Sequence, residues 1–163
     1  MNNLWASWRL NYVSTPKEEG CIFCEFLKQD NDKKNKILQR GKYAYIIMNA
    51  YPYSNGHLMV IPKRHISDFT LLTAEESCEI MILGQKVVEA LKLTYNPHGF
   101  NIGWNIGEAG GAGIASHLHM HIVPRWLGDT NFMSTIGEVR VIPEEFDISY
   151  EKIKSNLEKI LNE

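Results

Sequence analysis

The segment His-Leu-His-Met-His (HLHMH) occupies residues 117–121 and holds three of the six histidines in the chain. In an extended strand, side chains alternate between two faces, so His117, His119 and His121 are predicted to share one face. The two apolar residues between them are then predicted to face the core. A helix would point His119 away from the other two rings and would scatter the apolar residues. The segment therefore predicts a β-strand with a row of imidazoles on one side.

A row of imidazoles has a defined chemical use. Alternate residues of a strand lie roughly 6.6 Å apart at Cα, which suits groups placed along an extended phosphate chain. One neutral ring can attack phosphorus while its neighbours donate to oxygens, provided that a second bond fixes its tautomer. A shared metal ion would need further ligands. For one histidine a solvated strand face would be the better interpretation, but three in register favour phosphate chemistry.

Composition limits the class of protein. The chain has 163 residues, of which 44% are hydrophobic, so a single domain with a substantial core is expected. A net charge of −2 gives no basic field for a long nucleic acid. The sequence shows no leader-like start and no apolar run of about 18 residues, so we expect a cytoplasmic protein that does not enter a membrane. Three cysteines fit reduced thiols.

Two short apolar segments predict a β-hairpin. Residues 43–48 (YAYIIM) and 57–62 (HLMVIP) are rich in aromatic and aliphatic residues. The residues between them include Pro52, Asn55 and Gly56, which favour a turn. Earlier in the chain, residues 30–36 (DNDKKNK) form a polar run that is predicted to be a solvated loop.

Helical spacing begins after Thr73, which forms a possible capping box with Glu76. The helix is predicted to end before Pro97 and to hold Cys78 in the core. A terminal helix is predicted near residues 148–163, and residues 99–107 have strand character. The pattern indicates an α+β fold with a mostly antiparallel sheet and two main helices. The apolar residues that mark the two helices are Ile80, Leu83, Val87, Leu91, Ile153, Leu157, Ile160 and Leu161.

A glycine-rich turn, GEAGGAG at residues 107–113, leads into the histidine segment. Glycines let backbone N–H groups approach an anion without obstruction by side chains, so this turn is a possible phosphate-binding loop. An ordinary turn between two strands is the alternative, and the functional interpretation depends on the nearby histidines.

Cys21 and Cys24 are separated by two residues, which is the spacing of half a tetrahedral zinc site. The other ligands would come from elsewhere in the chain. A redox pair and two ordinary buried thiols are the alternatives, although the βαβ context typical of a thioredoxin-like motif is missing.

The segment HLHMHIV (117–123) matches the pattern His-φ-His-φ-His-φ-φ, where φ is apolar, and resembles the histidine-triad (HIT) superfamily of nucleotide hydrolases and transferases. The resemblance extends to CIFC (21–24), the segment 49–66 and the glycine turn. Residues 112–133 look most like bacterial diadenosine tetraphosphate phosphorylases and related hydrolases. The resemblance implies one HIT domain over residues 1–163, with about five antiparallel strands. Segment 1–20 and helix 148–163 would be extensions.

The resemblance also implies roles for individual residues. His119 would attack the α-phosphorus and form a nucleotidyl-histidine intermediate, which water or inorganic phosphate would resolve. His121 would contact the phosphate or the leaving oxygen, and His57 would lie near the phosphates. Asn49 stands where the family binds ribose hydroxyls. Asn105 stands where an asparagine before the glycine turn contacts the phosphate region.

One motif departs from a common family pattern. Many triad proteins have Gly-Gln-Ser or Gly-Gln-Thr before the histidines, whereas this chain has Gly111, Ala112 and Gly113. Gly113 and Ser116 are then the nearest substitute donors to the phosphates, through the backbone or the hydroxyl. The departure favours the phosphorylase-like branch over dinucleoside triphosphate hydrolases.

Two residues directly after the triad are further candidates. Arg125 could pair with distal phosphates, and Trp126 could stack on a base or contact a partner subunit. A solvated arginine and a packing tryptophan at the strand end are equally good interpretations.

The resemblance implies the remaining metal ligands. In some HIT proteins the cysteine pair is completed by the histidine after a Pro-Lys pair and by the first triad histidine, here His65 and His117. With Cys21 and Cys24 these would form a closed structural zinc site that fixes His117 beside the nucleophile.

The expected function is cleavage of a dinucleoside polyphosphate, with diadenosine tetraphosphate as the substrate, by a cytoplasmic homodimer. Phosphate as acceptor would make the protein a phosphorylase, and water would make it a hydrolase. The alternatives are a nucleoside phosphoramidate hydrolase that uses the same His119, and a non-catalytic nucleotide-binding or zinc-stabilised module.

Overall fold

The structure is a computed structural model that describes residues 20–129 and 142–162. Within these residues, helices flank a five-stranded sheet. In chain order the elements are α1 (Ile22–Lys28), α2 (Asp32–Asn35), β1 (Ile37–Arg40), β2 (Ala44–Met48), β3 (Leu58–Pro62), a 3₁₀ turn (Phe69–Leu71), α3 (Ala74–Tyr95), β4 (Gly99–Trp104), β5 (Met120–Arg125) and α4 (Phe146–Leu161).

The strands lie in the order β1-β2-β3-β5-β4, and every neighbouring pair is antiparallel. β2 and β3 form the predicted hairpin, with Met48 opposite Leu58. β5 lies between β3 and β4, so the histidine segment enters the middle of the sheet. The predicted α+β class, antiparallel sheet and two main helices are confirmed.

The sheet has two different faces because its side chains alternate. Met120 and Ile122 of β5 are buried on the face that α3 and α4 cover. The opposite face carries a second apolar cluster that includes Phe23 of α1, Tyr45 and Met59. His121 is the cross-strand partner of Met59, so it belongs to this second face. The predicted separation of histidines from core residues therefore holds within β5.

Helix α3 is defined by local signals that the sequence shows directly. The Thr73 hydroxyl accepts the Glu76 backbone N–H, and the Glu76 carboxylate accepts the Thr73 N–H, which completes the predicted capping box. Asn96 ends the helix in the left-handed conformation, with φ of 45°. At Gly84 a Cβ would lie 2.8 Å from Met120 Cε, so the glycine lets the helix approach β5 closely.

Helix α4 packs beside α3 and against the far edge of the sheet. It begins at Phe146, two residues before the predicted start, and buries Ile153, Leu157 and Ile160. The Tyr150 hydroxyl donates to the Ile37 carbonyl of β1 at 3.0 Å. No helix in the described ranges is long and apolar enough to cross a membrane.

The predicted histidine strand was too long. β5 begins at Met120, so only His121 lies within the strand, and His117 and His119 precede it. β3 ends at Pro62, which has no N–H to offer a neighbouring strand. The N–H of Leu118 donates instead to the Ile66 carbonyl at 2.7 Å.

Two other local predictions were wrong. The run 30–36 contains the short helix α2, because Asn31 caps it and Lys36 ends it with φ of 59°. Cys78 lies on the exposed side of α3 rather than in the core. It is two residues before the buried Ile80, and a two-residue step on a helix leads to a different face.

We expect Thr73→Ala to lower the free energy of unfolding by about 1 kcal/mol, because it removes the oxygen that caps α3. Urea denaturation measures this change. Ser77→Ala is the control, since Ser77 is exposed one turn further along the helix and should change stability by less than about 0.5 kcal/mol. Equal losses in the two variants would contradict the capping role.

Candidate active site and metal cluster

Four histidines from two separate parts of the sequence come together on the second face of the sheet. His57 directly precedes β3, His121 lies in β5, and His117 and His119 lie in the segment that leads into β5. Their exposed fractions are only 1% to 8%. The rings of His119 and His121 are 4.8 Å apart, and those of His57 and His121 are 5.1 Å apart. The antiparallel pairing of β3 with β5 thus builds one buried imidazole cluster.

The hydrogen bonds of His57 and His121 define their tautomers. The Tyr53 backbone N–H donates to His57 Nδ1 at 3.0 Å, so the proton of a neutral His57 is on Nε2. His57 Nε2 lies 2.9 Å from His121 Nδ1 and therefore donates to it. This places the proton of His121 on its own Nε2. That buried nitrogen has no hydrogen-bond partner among the described residues, so it can donate to a ligand.

His119 has the opposite tautomer. Its Nδ1 lies 2.8 Å from the backbone carbonyl oxygen of His117, which can only accept a hydrogen bond. The proton is therefore on Nδ1, and Nε2 carries a lone pair. Burial lowers the pKa of His119 below its ordinary value, which keeps the ring neutral. Burial, with a smaller contribution from His119, lowers the pKa of His121 to about 4. The site thus offers a nucleophilic nitrogen beside a donor nitrogen.

Phe23 of α1 covers the side of the cluster that faces away from β4. Its ring centroid lies 5.3 Å from that of His119 and 5.6 Å from that of His117. Phe23 is itself buried. An apolar side chain here excludes water from the two rings and contributes to the burial that lowers the histidine pKa values.

Tyr53 is a site residue that the sequence analysis did not single out. Its ring lies 4.7 Å from that of His57 and is roughly parallel to that of His121, at 5.7 Å. Its hydroxyl is 3.5 Å from Asn105 Nδ2. A signal was present in the sequence, because Tyr53 is an aromatic residue only four positions before His57 in the predicted hairpin turn.

The structure places Asn49 against His57 and Asn105 against the Tyr53 hydroxyl. Asn49 Nδ2 lies 3.4 Å from both ring nitrogens of His57, and its Oδ1 accepts the Tyr51 N–H at 2.9 Å. Asn105 Nδ2 also lies 3.5 Å from the Gly111 carbonyl oxygen. Both candidate residues are therefore within reach of the histidine cluster.

The glycine turn has a structural explanation of its own. A Cβ at Gly110 would lie 2.3 Å from the Ile106 carbonyl oxygen, and Gly111 has φ of +83°. The N–H groups of Gly111 and Ala112 donate to carbonyls within the turn, so they are not available to a phosphate. Gly113 and Ser116, the predicted substitute donors, are exposed near the end of the turn that leads to the histidines.

An open cavity of about 280 Å³ lies beside His121 on the same face of the sheet. Tyr53, Asn105 and Arg125 line parts of its wall. The Arg125 guanidinium is bound by both oxygens of Asp129, at 2.6 and 2.8 Å. Trp126 is half-buried and is not among the described residues that line the cavity.

The cysteine pair forms a metal-ligating cluster with two histidines. The ligand atoms of Cys21, Cys24, His65 and His117 all lie within 4.8 Å of one another. Four separations are short: Cys21 Sγ to His117 Nδ1 is 3.2 Å, Cys24 Sγ to His65 Nδ1 is 3.4 Å and to His117 Nδ1 is 3.6 Å, and the two Nδ1 atoms are 3.3 Å apart. Bond lengths typical of zinc imply about 3.3 to 3.8 Å between tetrahedral ligand atoms.

The tautomer of His117 also suits metal binding. Its Nε2 donates to the Pro62 carbonyl at 2.8 Å, which leaves the Nδ1 lone pair directed at the cluster. Burial and the neighbouring Cys21 raise the pKa of the Cys24 thiol, so without a cation the Cys24 thiol favours its protonated form. The donor set fits one soft divalent ion. Through its backbone carbonyl, His117 joins this cluster to His119.

Comparison with known sequences gives a consistent result. The family model described as HIT domain matches residues 30–126. The chain is 40% identical over 152 residues to a Mycobacterium tuberculosis protein named AP-4-A phosphorylase, and the match covers 88% of this chain and 78% of that protein. It is also 31% identical over 121 residues to an uncharacterized HIT-like protein of Methanocaldococcus jannaschii, covering 74% of this chain and 89% of that protein.

Solved structures show the same fold. A Zn-bound histidine triad family protein from Mycobacterium smegmatis superposes with a TM-score of 0.71 at 26% identity, covering 88% of this chain and 96% of that one. A hypothetical histidine triad nucleotide-binding protein from Sulfolobus tokodaii gives a TM-score of 0.69 at 25% identity, covering 86% and 93%.

Stability should fall as the pH is lowered from 7 to 4, because burial shifts the pKa of His121 from 6.5 in the unfolded chain to about 4 in the folded one. In this window the unfolded chain binds the proton first and is favoured. Urea denaturation at pH 7 and pH 5 tests this. Between pH 7 and pH 5, the free energy of unfolding should fall less in His121→Gln than in the wild type. In His98→Gln, which changes an exposed histidine, it should fall as much as in the wild type. The same pH dependence in His121→Gln and wild type would contradict the assignment.

Proposed function

Because the chain belongs to the histidine-triad (HIT) family, we propose that it is a nucleotidyl transferase or hydrolase that cleaves dinucleoside polyphosphates, with diadenosine tetraphosphate as its substrate. The observation that carries the proposal is the pairing of an unprotonated His119 Nε2 with a His121 Nε2–H in one buried cluster, with the rings 4.8 Å apart. The choice of substrate is supported by the identity of 40% to the protein named AP-4-A phosphorylase.

In the first step, His119 Nε2 attacks the α-phosphorus, a P–N bond forms, and the bond from that phosphorus to the bridging oxygen breaks. The nucleophile keeps its Nδ1–H, which the His117 carbonyl holds throughout. His121 Nε2–H donates a hydrogen bond to the oxygen that leaves with the polyphosphate. The products of this step are ATP and an adenylyl-histidine.

In the second step, an oxygen of inorganic phosphate or of water attacks the same phosphorus and the P–N bond breaks. Phosphate gives ADP and water gives AMP, while imidazole leaves readily in both cases. We propose phosphate as the acceptor, because the relative with 40% identity is named a phosphorylase.

Other residues are assigned to substrate binding. Asn49, held against His57 and the Tyr51 N–H, would bind the ribose hydroxyls. Asn105, Gly113 and Ser116 would contact the phosphates from the side of the glycine turn. The Arg125 guanidinium would bind the distal phosphates of the substrate. Each of these groups lies on a loop or strand end, where a rigid sheet can present polar groups to a ligand.

We further propose that Cys21, Cys24, His65 and His117 hold a structural zinc ion. Four of the six separations between the ligand atoms are 3.2 to 3.6 Å, close to those of a tetrahedral zinc site, and a solved HIT relative with 26% identity is described as Zn-bound. When bound, zinc would supply a closed four-coordinate link between α1 and the segment before β5. His117 would then be fixed at its ring by the metal and by Pro62, and its carbonyl would orient His119.

The proposal also treats residues 1–163 as a single HIT domain, in which the segment 1–20 and the terminal helix extend the matched range 30–126. A cytoplasmic homodimer is proposed from the family resemblance. β4 is at one edge of the sheet, and its Ile102 is half exposed, which would suit contact with a second subunit.

Chromatography of the products from diadenosine tetraphosphate, with and without inorganic phosphate, tests the proposed reaction. We expect ADP and ATP only when phosphate is present, and His119→Asn should lower the rate by at least about a thousandfold because it removes the nucleophile. His98→Asn changes an exposed imidazole whose Nδ1 accepts the Leu127 N–H, and it should retain the wild-type rate.

Other product patterns would contradict parts of the proposal. AMP and ATP at every phosphate concentration would make the protein a hydrolase. Turnover of adenosine phosphoramidate but not of the dinucleotide would indicate the phosphoramidate branch. Nucleotide binding that is equal in wild type and His119→Asn, without turnover of either substrate, would indicate a binding module.

Metal analysis of the purified protein tests the zinc site. We expect about one zinc per chain in the wild type and a clear loss in Cys24→Ser, because a hydroxyl is a poor ligand for zinc. Cys78→Ser is the matched control, since Cys78 is exposed on α3, and it should retain the metal. A wild type without zinc, or equal zinc in the two variants, would refute the site.

A further inference from the structure

The cavity beside His121 is a trough between β4 and β5. His121, Val123 and Arg125 of β5 alternate along the strand and share one face. On β4, Gly103 is the cross-strand partner of His121, and Asn101 is the partner of Val123. Gly103 has no side chain, and a Cβ built there would meet no atom within 4 Å. The glycine therefore leaves an open floor beside the histidine.

Arg125 forms the far end of this trough and is held in a fixed orientation. Its Nε and Nη2 donate to the two oxygens of Asp129, and its Nη1 donates to Asn101 Oδ1 at 2.5 Å. These contacts, within the described part of the chain, use three of the five guanidinium N–H donors. Nη1 and Nη2 each keep one N–H. Asn101 lies two residue pairs along the ladder from Gly103, so the guanidinium is held in the part of the trough beyond the glycine.

The in-line geometry of the reaction indicates which ligands this trough would hold, so this inference rests on the proposed function. In phosphoryl transfer the attacking and leaving atoms are roughly in line through phosphorus. The leaving group therefore departs on the side away from His119, and the acceptor of the second step must attack from that same side. His121, which lines the trough, donates to the leaving oxygen. One site thus has to accept two anions in turn.

We propose that the trough between His121 and Arg125 is a phosphate-binding site, which holds the polyphosphate of the leaving nucleotide in the first step and the inorganic phosphate acceptor in the second. His121 Nε2–H donates at one end and the Arg125 guanidinium at the other. Asp129 and Asn101 are positioning residues that fix the guanidinium. The floor at Gly103 gives the room that a tetrahedral anion needs.

This assignment has a consequence for the choice of acceptor. A phosphate bound in the trough lies next to the phosphorus attached to His119. Its position therefore favours it over water as the attacking group in the second step. Weakening the trough should therefore shift the products from ADP towards AMP. It should not prevent the P–N bond to His119 from forming, because His119 does not line the trough.

Gly103→Val and Arg125→Gln test the site, and Ser77→Val is the control. Ser77 is exposed on α3, which covers the opposite face of the sheet, and does not line the trough. The first measurement is calorimetric binding of tripolyphosphate and of inorganic phosphate to the full chain, without nucleotide. We expect about tenfold weaker binding of both anions in Gly103→Val and Arg125→Gln, and wild-type binding in Ser77→Val.

The second measurement is the ratio of ADP to AMP formed from diadenosine tetraphosphate at fixed phosphate. It should fall about tenfold in Gly103→Val relative to Ser77→Val. Weaker binding of tripolyphosphate alone would restrict the site to the leaving group. Weaker binding of phosphate alone would restrict it to the acceptor. Either result would overturn the shared site.

Three further outcomes would overturn the proposal entirely: no binding of either anion by the wild type, unchanged binding in both trough variants, or equal loss in Ser77→Val. Failure of the proposed function has a different signature. If binding of tripolyphosphate is weakened by Gly103→Val and Arg125→Gln but the wild type does not cleave any dinucleotide, the phosphate-binding trough is supported and the proposed reaction is refuted.

Discussion

The hydrogen bond from His119 Nδ1–H to the backbone carbonyl of His117 determines which nitrogen can react. It places the lone pair on His119 Nε2, and burial keeps the ring neutral. The same His117 is held at its ring by the Pro62 carbonyl and lies among the thiols of the metal-ligating cluster. One residue therefore connects the proposed zinc site to the proposed nucleophile. Without this bond, the imidazole could rotate or change its tautomer.

The antiparallel pairing of β3 with β5 provides the second constraint. It places Met59 opposite His121 and so brings His57, one residue before β3, within hydrogen-bonding distance of β5. The face behind these residues is packed by α3 and α4 around Met120 and Ile122. The histidine face is instead bounded by Phe23, Tyr53 and the open trough. The sheet thus separates the apolar core on one face from a polar site on the other face that can bind a charged ligand.

Local patterns were sufficient for much of the fold. The hairpin, α3 with its capping box, and the terminal helix follow from residues a few positions apart, and all three are present. Two predictions failed because the tertiary structure overrides the local pattern. Alternation over 117–121 suggested one long strand, but the N–H of Leu118 bonds to Ile66 and the strand starts at Met120. At Cys78, the orientation of α3 on the sheet decided exposure.

The sequence by itself determined the antiparallel α+β class, the three alternating histidines and the cysteine pair, because period, spacing and residue type are local properties. Only the tertiary structure decided the tautomers, since the bond from His57 to His121 joins residues 64 positions apart. It also brought Tyr53 over the rings and clamped Arg125 between Asp129 and Asn101 beside an open floor at Gly103. These features depend on strand register and ring orientation, which short-range sequence patterns do not encode.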